Sequence, residues 1–207
     1  MAAISPQQRL RPLFVYAALL LWTPFAWGQQ TQPAEQALAA ARAEQWERLD
    51  QLEGKLDEHA PVRADLDFHR IRAKLPGLEA ERIQDYARRY PDTPLADKLR
   101  RRALARYGDA ERWAAIRALT DSTPRGTALQ CHYHRAWLNQ RPEATQRAGQ
   151  QLWRSGYSRP DACNPLFEAL ESRGALDDDL IWQRLLLAFR AGNPDLMRYL
   201  VDRLALV

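Results

Sequence analysis

Apolar residues recur at intervals of three and four through one short segment after another, and turn-forming residues separate the segments. Leu95, Leu99, Ala103 and Leu104 form one such stripe; Trp113, Ile116 and Leu119, then Leu166, Phe167 and Leu170, then Ile181, Leu185 and Phe189 form others. That spacing gives a helix one sticky face, and no segment shows the period-two pattern of a half-buried strand. The chain therefore reads as all-α, with helices over 34–44, 46–56, 61–74, 79–90, 94–106, 109–120, 126–139, 142–155, 163–173, 178–190 and 194–204.

The breakers have physical roles. Thr93-Pro94 and Asn193-Pro194 each set a capping oxygen before a proline, whose missing N–H costs nothing at a helix start. Asp177-Asp178-Asp179 opens a helix where acids favour the positive end of the helix dipole; it lacks the spacing and glycine of a calcium loop. Gly108, Gly156, Gly174 and Gly192 follow apolar runs and suit the left-handed residue that ends a helix. Links this short force successive helices side by side. Many short pairs stacked in order predict an α-solenoid, a superhelix without a strict tetratricopeptide signature. Trp46, Trp113, Trp137, Trp153 and Trp182 are expected in the core between helices rather than as a sugar-stacking platform.

Residues 1–28 carry Arg9 and Arg11 with no acid, then an apolar run from Leu13 to Trp22, then Ala26-Trp27-Gly28. This is the pattern of an export signal, with cleavage expected between Gly28 and Gln29 and a short linker over 29–33. The apolar run is about half the length that spans a bilayer, so no permanent membrane anchor is expected. Removing Arg9 and Arg11 takes the formal charge from +4 to +2. A nearly neutral, mixed surface gives no reason to expect nucleic acid as a partner. The one tight basic cluster, Arg100-Arg101-Arg102, reads as a solvated helix face, with contact to anionic wall groups as the sharper alternative.

Chemistry-bearing residues are few. Cys131 and Cys163 are the only cysteines, and an exported chain with two most economically pairs them; two free buried thiols are the alternative. Closing about 33 residues would remove roughly 3.7 kcal/mol of unfolded-state freedom in the loop-entropy model. His132 and His134 lie two apart on a helix and point to nearly opposite sides, so they cannot easily grip one ion. His59 and His69 lack a matching ligand cluster, and no metal is implied. No glycine-rich phosphate loop or nucleophile elbow is present.

Between Leu129 and Leu204, Leu152-Trp153, Cys163-Asn164-Pro165-Leu166-Phe167, Trp182-Gln183-Arg184 and Ala191-Gly192-Asn193 follow one another within this helical periodicity. The stretch resembles the N-terminal superhelical domain of the soluble lytic murein transglycosylases. Arg89-Tyr90-Pro91-Asp92-Thr93-Pro94-Leu95-Ala96 looks like that family's recurring helix link. The resemblance implies a periplasmic setting and an incomplete superhelical domain over 34–207, with the lysozyme-like catalytic domain absent. In complete relatives that domain cleaves the β-1,4 bond between N-acetylmuramic acid and N-acetylglucosamine, leaves a 1,6-anhydromuramoyl end, and needs no cofactor.

No catalytic position of the family carries over. Glu171-Ser172 looks like the Glu-Ser pair of the catalytic domain, but Arg173-Gly174-Ala175 follows it and the later family signature does not; it is expected to be a surface helix end. The resemblance implies that the superhelix forms a curved wall closing into a ring beside the catalytic domain, which positions glycan strands or excludes cross-linked ones. Implied partners are peptidoglycan strands, through the catalytic domain of a full-length relative, and cell-wall proteins. The alternative is a free-standing periplasmic helical scaffold that binds another protein. Ending on Leu204-Ala205-Leu206-Val207 without a polar capping repeat fits an interrupted solenoid better than a finished scaffold.

Overall fold

The structure, a computed structural model, describes residues 31–205; the expected export signal and its Gly28–Gln29 cleavage point lie outside the described residues. Eleven α-helices and no strand are found among those residues. They are α1 (Thr31–Arg42), α2 (Trp46–Glu53), α3 (Val62–Ala73), α4 (Ala80–Arg89), α5 (Leu95–Asp109), α6 (Trp113–Leu119), α7 (Thr127–Trp137), α8 (Pro142–Trp153), α9 (Asn164–Glu171), α10 (Asp178–Arg190) and α11 (Pro194–Ala205). A 3₁₀ turn, Asp161–Cys163, leads into α9. Each expected helix is present, with ends shifted by a few residues.

The packing order defines the architecture. Odd-numbered helices lean each on the next, α1 on α3, α3 on α5, α5 on α7 and α7 on α9, while α4 rests on α6 in the opposite row. Successive helices also touch, so the chain builds two rows of antiparallel helices, the construction of an α-solenoid. Three cores follow one another along it. Ala37, Ala40, Ala41, Leu49, Leu52 and Leu66 close the first. The second centres on Ile83, Leu99, Tyr107 and Ile116. The third runs from α7 to α11 around Trp153, Leu166, Leu170 and Leu200.

The expected caps form. Asp177 Oδ1 accepts from the Leu180 N–H at 3.0 Å, Asn193 Oδ1 from the Leu196 N–H at 3.2 Å and Thr93 Oγ1 from the Leu95 N–H at 3.3 Å. Each satisfies one of the amides that a first helical turn leaves unpaired.

The glycine expectations need correction at two of four positions. Gly174 and Gly192 are left-handed, at φ 68° and 65°. Gly108 and Gly156 are not, because their role is close approach. A Cβ on Gly108, within α5, would lie 2.1 Å from His132 Cγ, and one on Gly156 would lie 2.5 Å from the Leu187 carbonyl oxygen. The left-handed residues beyond the first and fifth helices are Glu44 and Glu111, at φ 57° and 54°.

Two aromatic expectations also change. Trp153 is buried, at 1% exposure, and Trp46 and Trp113 pack half-buried against the first and second cores. Trp137 is half-buried beneath Arg141, whose guanidinium lies 3.8 Å from the ring centroid. Trp182 and Phe189, however, are 53% and 68% exposed. Ala188 takes the inward place expected of Phe189: residues 181, 185 and 188 follow the buried stripe, and 182, 186 and 189 follow its outer neighbour.

Candidate functional site

The third core is where the chain concentrates its chemistry, and α7 organises it. Cys131 and Cys163 are disulfide-bonded across a Cα–Cα distance of 4.8 Å, tying α7 to the turn that starts α9. Beside Cys131, His132 enters the gap that Gly108 leaves in α5. Its Nε2 lies 3.4 Å from Asp109 Oδ1, and its buried Nδ1 has no hydrogen-bond partner. Burial holds the imidazole below its ordinary pKa, against a weaker upward pull from Asp109. His134 is also held low by burial, with its Nδ1 unpartnered. Tyr133, between them, donates to the Asp121 carbonyl at 2.6 Å and accepts from Arg141 Nη1 at 3.2 Å. Among the described residues no three His, Cys, Asp or Glu side chains converge as a metal site would require.

The other singled-out residues occupy structural or exposed places. Glu171 is the last residue of α9, 43% exposed and ion-paired with Arg203. Ser172 donates from Oγ to the Ala169 carbonyl at 3.1 Å. A carboxylate so placed has no enclosed cleft around it in which to meet a sugar-bond oxygen. His59 is exposed, its backbone N–H bonded to Asp57 Oδ1 at 2.8 Å. His69 stacks edge-on against Phe68, and burial together with Arg72 lowers its pKa. Arg100, Arg101 and Arg102 lie on the exposed face of α5, Arg100 paired with Asp97 and Arg101 Nη1 donating to the Arg125 carbonyl at 3.2 Å.

Concave surface is available at several points. A cleft of about 670 Å³ between α3 and α4 is lined by Arg70, Lys74, Arg82 and Arg89 with Asp67 and Asp85. Another, about 720 Å³, crosses α4 and α6 and carries Gln84, Trp113, Asn139 and Gln140. These are mixed, polar surfaces suited to hydrogen-bonding a hydroxylated or charged ligand, not to sheltering an acid.

One feature escaped the sequence reading. Arg184, 3% exposed, lies over Trp153 with its guanidinium 4.1 Å from the ring centroid. The signal was present: residue 184 falls within the stripe of Ile181, Leu185 and Ala188, so a full helical projection places it inside. The charge of an arginine argues against burial, which is why periodicity taken from apolar residues alone passes over it.

No family model matches the chain. A soluble lytic murein transglycosylase of Salmonella typhimurium is 29% identical over 145 residues, 70% of this chain and 22% of that protein. The enzyme of the same name from Escherichia coli K12 is 28% identical over an equal stretch. The crystal structure of the 70 kDa soluble lytic transglycosylase of Escherichia coli superposes with a TM-score of 0.75 and 26% identity, covering 85% of this chain and 28% of that one. The complex of the 70 kDa soluble lytic transglycosylase with bulgecin A gives 0.73 over 84% of this chain. The matched stretch is thus about a fifth of the length of the curated relatives.

Proposed function

We propose that this chain, a member of the soluble lytic murein transglycosylase family, is the superhelical, non-catalytic part of such an enzyme, acting in the periplasm on murein glycan strands. The observation that carries this reading is the superposition of 85% of the chain on 28% of a solved transglycosylase, at a TM-score of 0.75. Two rows of stacked helices make a wall, and the clefts along it offer hydrogen-bonding side chains instead of an acid poised for bond cleavage. Its work is to frame and position; cleavage to anhydromuramoyl ends belongs to the lysozyme-like domain of a complete relative. Export fits this reading, with residues 1–28 as the signal and Gln29 as the first residue of the mature protein. Among the described residues no helix is long and apolar enough to cross a membrane.

The test is to incubate purified mature chain with murein sacculi and separate the released muropeptides by chromatography and mass. No anhydromuropeptides are expected from the chain alone, and sacculi should retain it on sedimentation. Anhydro products would overturn the non-catalytic assignment; failure to sediment would overturn the glycan-positioning role.

A second reading, a periplasmic scaffold for another protein, is favoured by one observation. Trp182, Leu186 and Phe189 leave an apolar stripe exposed along α10, the kind of surface that another helix covers. Genomic sequence past the codon for Val207 separates the two: an in-frame lysozyme-like domain supports the enzyme, and an immediate stop before unrelated genes supports the scaffold.

A further inference from the structure

A pocket of about 340 Å³ opens where the turn before α9 meets α9, α10 and α11. At its base Arg184 lies over Trp153, and Phe167 meets Trp153 edge-on with ring centroids 5.0 Å apart. Stacking occupies a face of the guanidinium and leaves its edge, where the five N–H donors point, for in-plane acceptors. Among the described residues the protein supplies none: the Arg184 side chain forms no hydrogen bond or ion pair there, and because its Nε is sealed from solvent the two Nη groups are the donors left for the pocket. The charged or ionisable groups acting on it are Tyr199, Arg159 and Arg203. Burial, together with the two arginines, pushes its pKa down to about 10.

Its neighbours already hold partners of their own. Arg203 donates to the Tyr199 hydroxyl and pairs with Glu171, with only its buried Nε left unpartnered, and Arg159 Nε donates to the Leu152 carbonyl at 2.6 Å. Of the two acids lining the pocket, Asp195 is 87% exposed and pairs with Arg198 at 3.1 Å, and Glu168 is exposed on α9. A buried cation without a counter-charge is costly, and an anion entering from solvent would offset that cost.

The geometry points to a binding site for a small organic carboxylate, held through paired hydrogen bonds from the Arg184 guanidinium with its carbon skeleton against Phe167, Leu196 and Tyr199. The planar fork fits two oxygens of a carboxylate or of a phosphate alike; what favours the carboxylate is charge, since three arginines against two acids leave one net positive charge, enough for a monoanion in a half-apolar pocket. The site stands on Arg184 irrespective of any role in murein cleavage. The terminal carboxylate of a peptide and a free small acid share this chemistry; N-acetyl-D-alanine probes the first and acetate the second.

The test follows thermal unfolding of the mature chain at constant ionic strength with N-acetyl-D-alanine, its amide, acetate and inorganic phosphate. A ligand that binds only the folded state raises the melting temperature with its concentration. N-acetyl-D-alanine should do so and its amide should not; an equal effect of acetate would assign recognition to the carboxylate alone. R184K keeps the charge but loses the fork and should weaken the apparent affinity at least tenfold, while R190K, on the exposed side of α10, should not. Should R184K fold poorly, E168Q is the second probe: removing an exposed rim acid should tighten binding about threefold. Equal effects of acid and amide, a stronger effect of phosphate than of the acid, or an unchanged response in a folded R184K or in E168Q would overturn the site.

Discussion

Gly108 and His132 depend on each other, because the imidazole occupies the volume that any larger residue at 108 would need. G108A would place a methyl group 2.1 Å from His132 Cγ, so either the ring or α5 must move. Overpacking of this kind costs about 1–3 kcal/mol. Gly174 provides the contrast: at φ 68° it has nothing within 4 Å of its would-be Cβ, so G174A should cost only about 1 kcal/mol of left-handed backbone strain. Urea unfolding of both variants checks the order; a G108A that loses no more than G174A would show the ring to be loosely held. His132 also sets a pH dependence. Burial keeps His69, His132 and His134 below their ordinary value of 6.5, so the unfolded chain binds these protons more tightly than the folded one. Above the unfolded value neither state is protonated and the three contribute nothing. As pH falls below 6.5 toward the folded values, stability is lost. Urea midpoints measured from pH 7.5 to 5.5 should therefore fall, and H132Q should fall less steeply than the parent; an equal slope would mean that His132 does not titrate on unfolding.

At the scale of the helix, α10 separates what a stripe of apolar residues can and cannot reveal. Ile181 and Leu185 were readable as inward-facing, and Phe189 was wrongly added to them because size and hydrophobicity resemble burial when viewed one residue at a time. The position of Ala188, buried at 0% exposure, shows that the angle around the helix decides. Caps were legible for a related reason. A side-chain oxygen ahead of a helix start is a local device, and Asp177, Asn193 and Thr93 all act within three residues of themselves. Contacts between helices were not legible, and those explain Gly108, Gly156 and Arg184, whose surroundings come from residues about 24 or more positions away or from another element. A mutational contrast follows. L185A should cost about 2–5 kcal/mol through a cavity in the third core, whereas F189A and W182A should each change stability by about 0.5 kcal/mol or less. Denaturant midpoints decide it, and a large loss in F189A would mean that its exposed ring is covered in solution.

Across the whole molecule, the three cores are linked in series, and each helix row passes contact only to its neighbours. Stability in such an array is a sum of local terms, so it need not be uniform along the chain. Among the described residues the first core is closed by six buried side chains, three of them alanines, and has no covalent tie. The third has fifteen and contains the Cys131–Cys163 bond, which spans 32 positions. In the loop-entropy account such a bond adds about 3.7 kcal/mol by restricting the unfolded chain, and that gain falls on α7, α8 and α9, the helices that the loop encloses or joins. Hydrogen exchange on the oxidised protein should therefore show amides of α1 and α2 exchanging first, with those of α7 to α9 last. Replacing both cysteines by serine should speed exchange in α7 to α9 and leave α1 and α2, separated from the bond by the second core, at their original rates. A uniform acceleration over all helices would instead make the chain a single cooperative unit, in which the superhelix transmits loss of the disulfide from one end to the other.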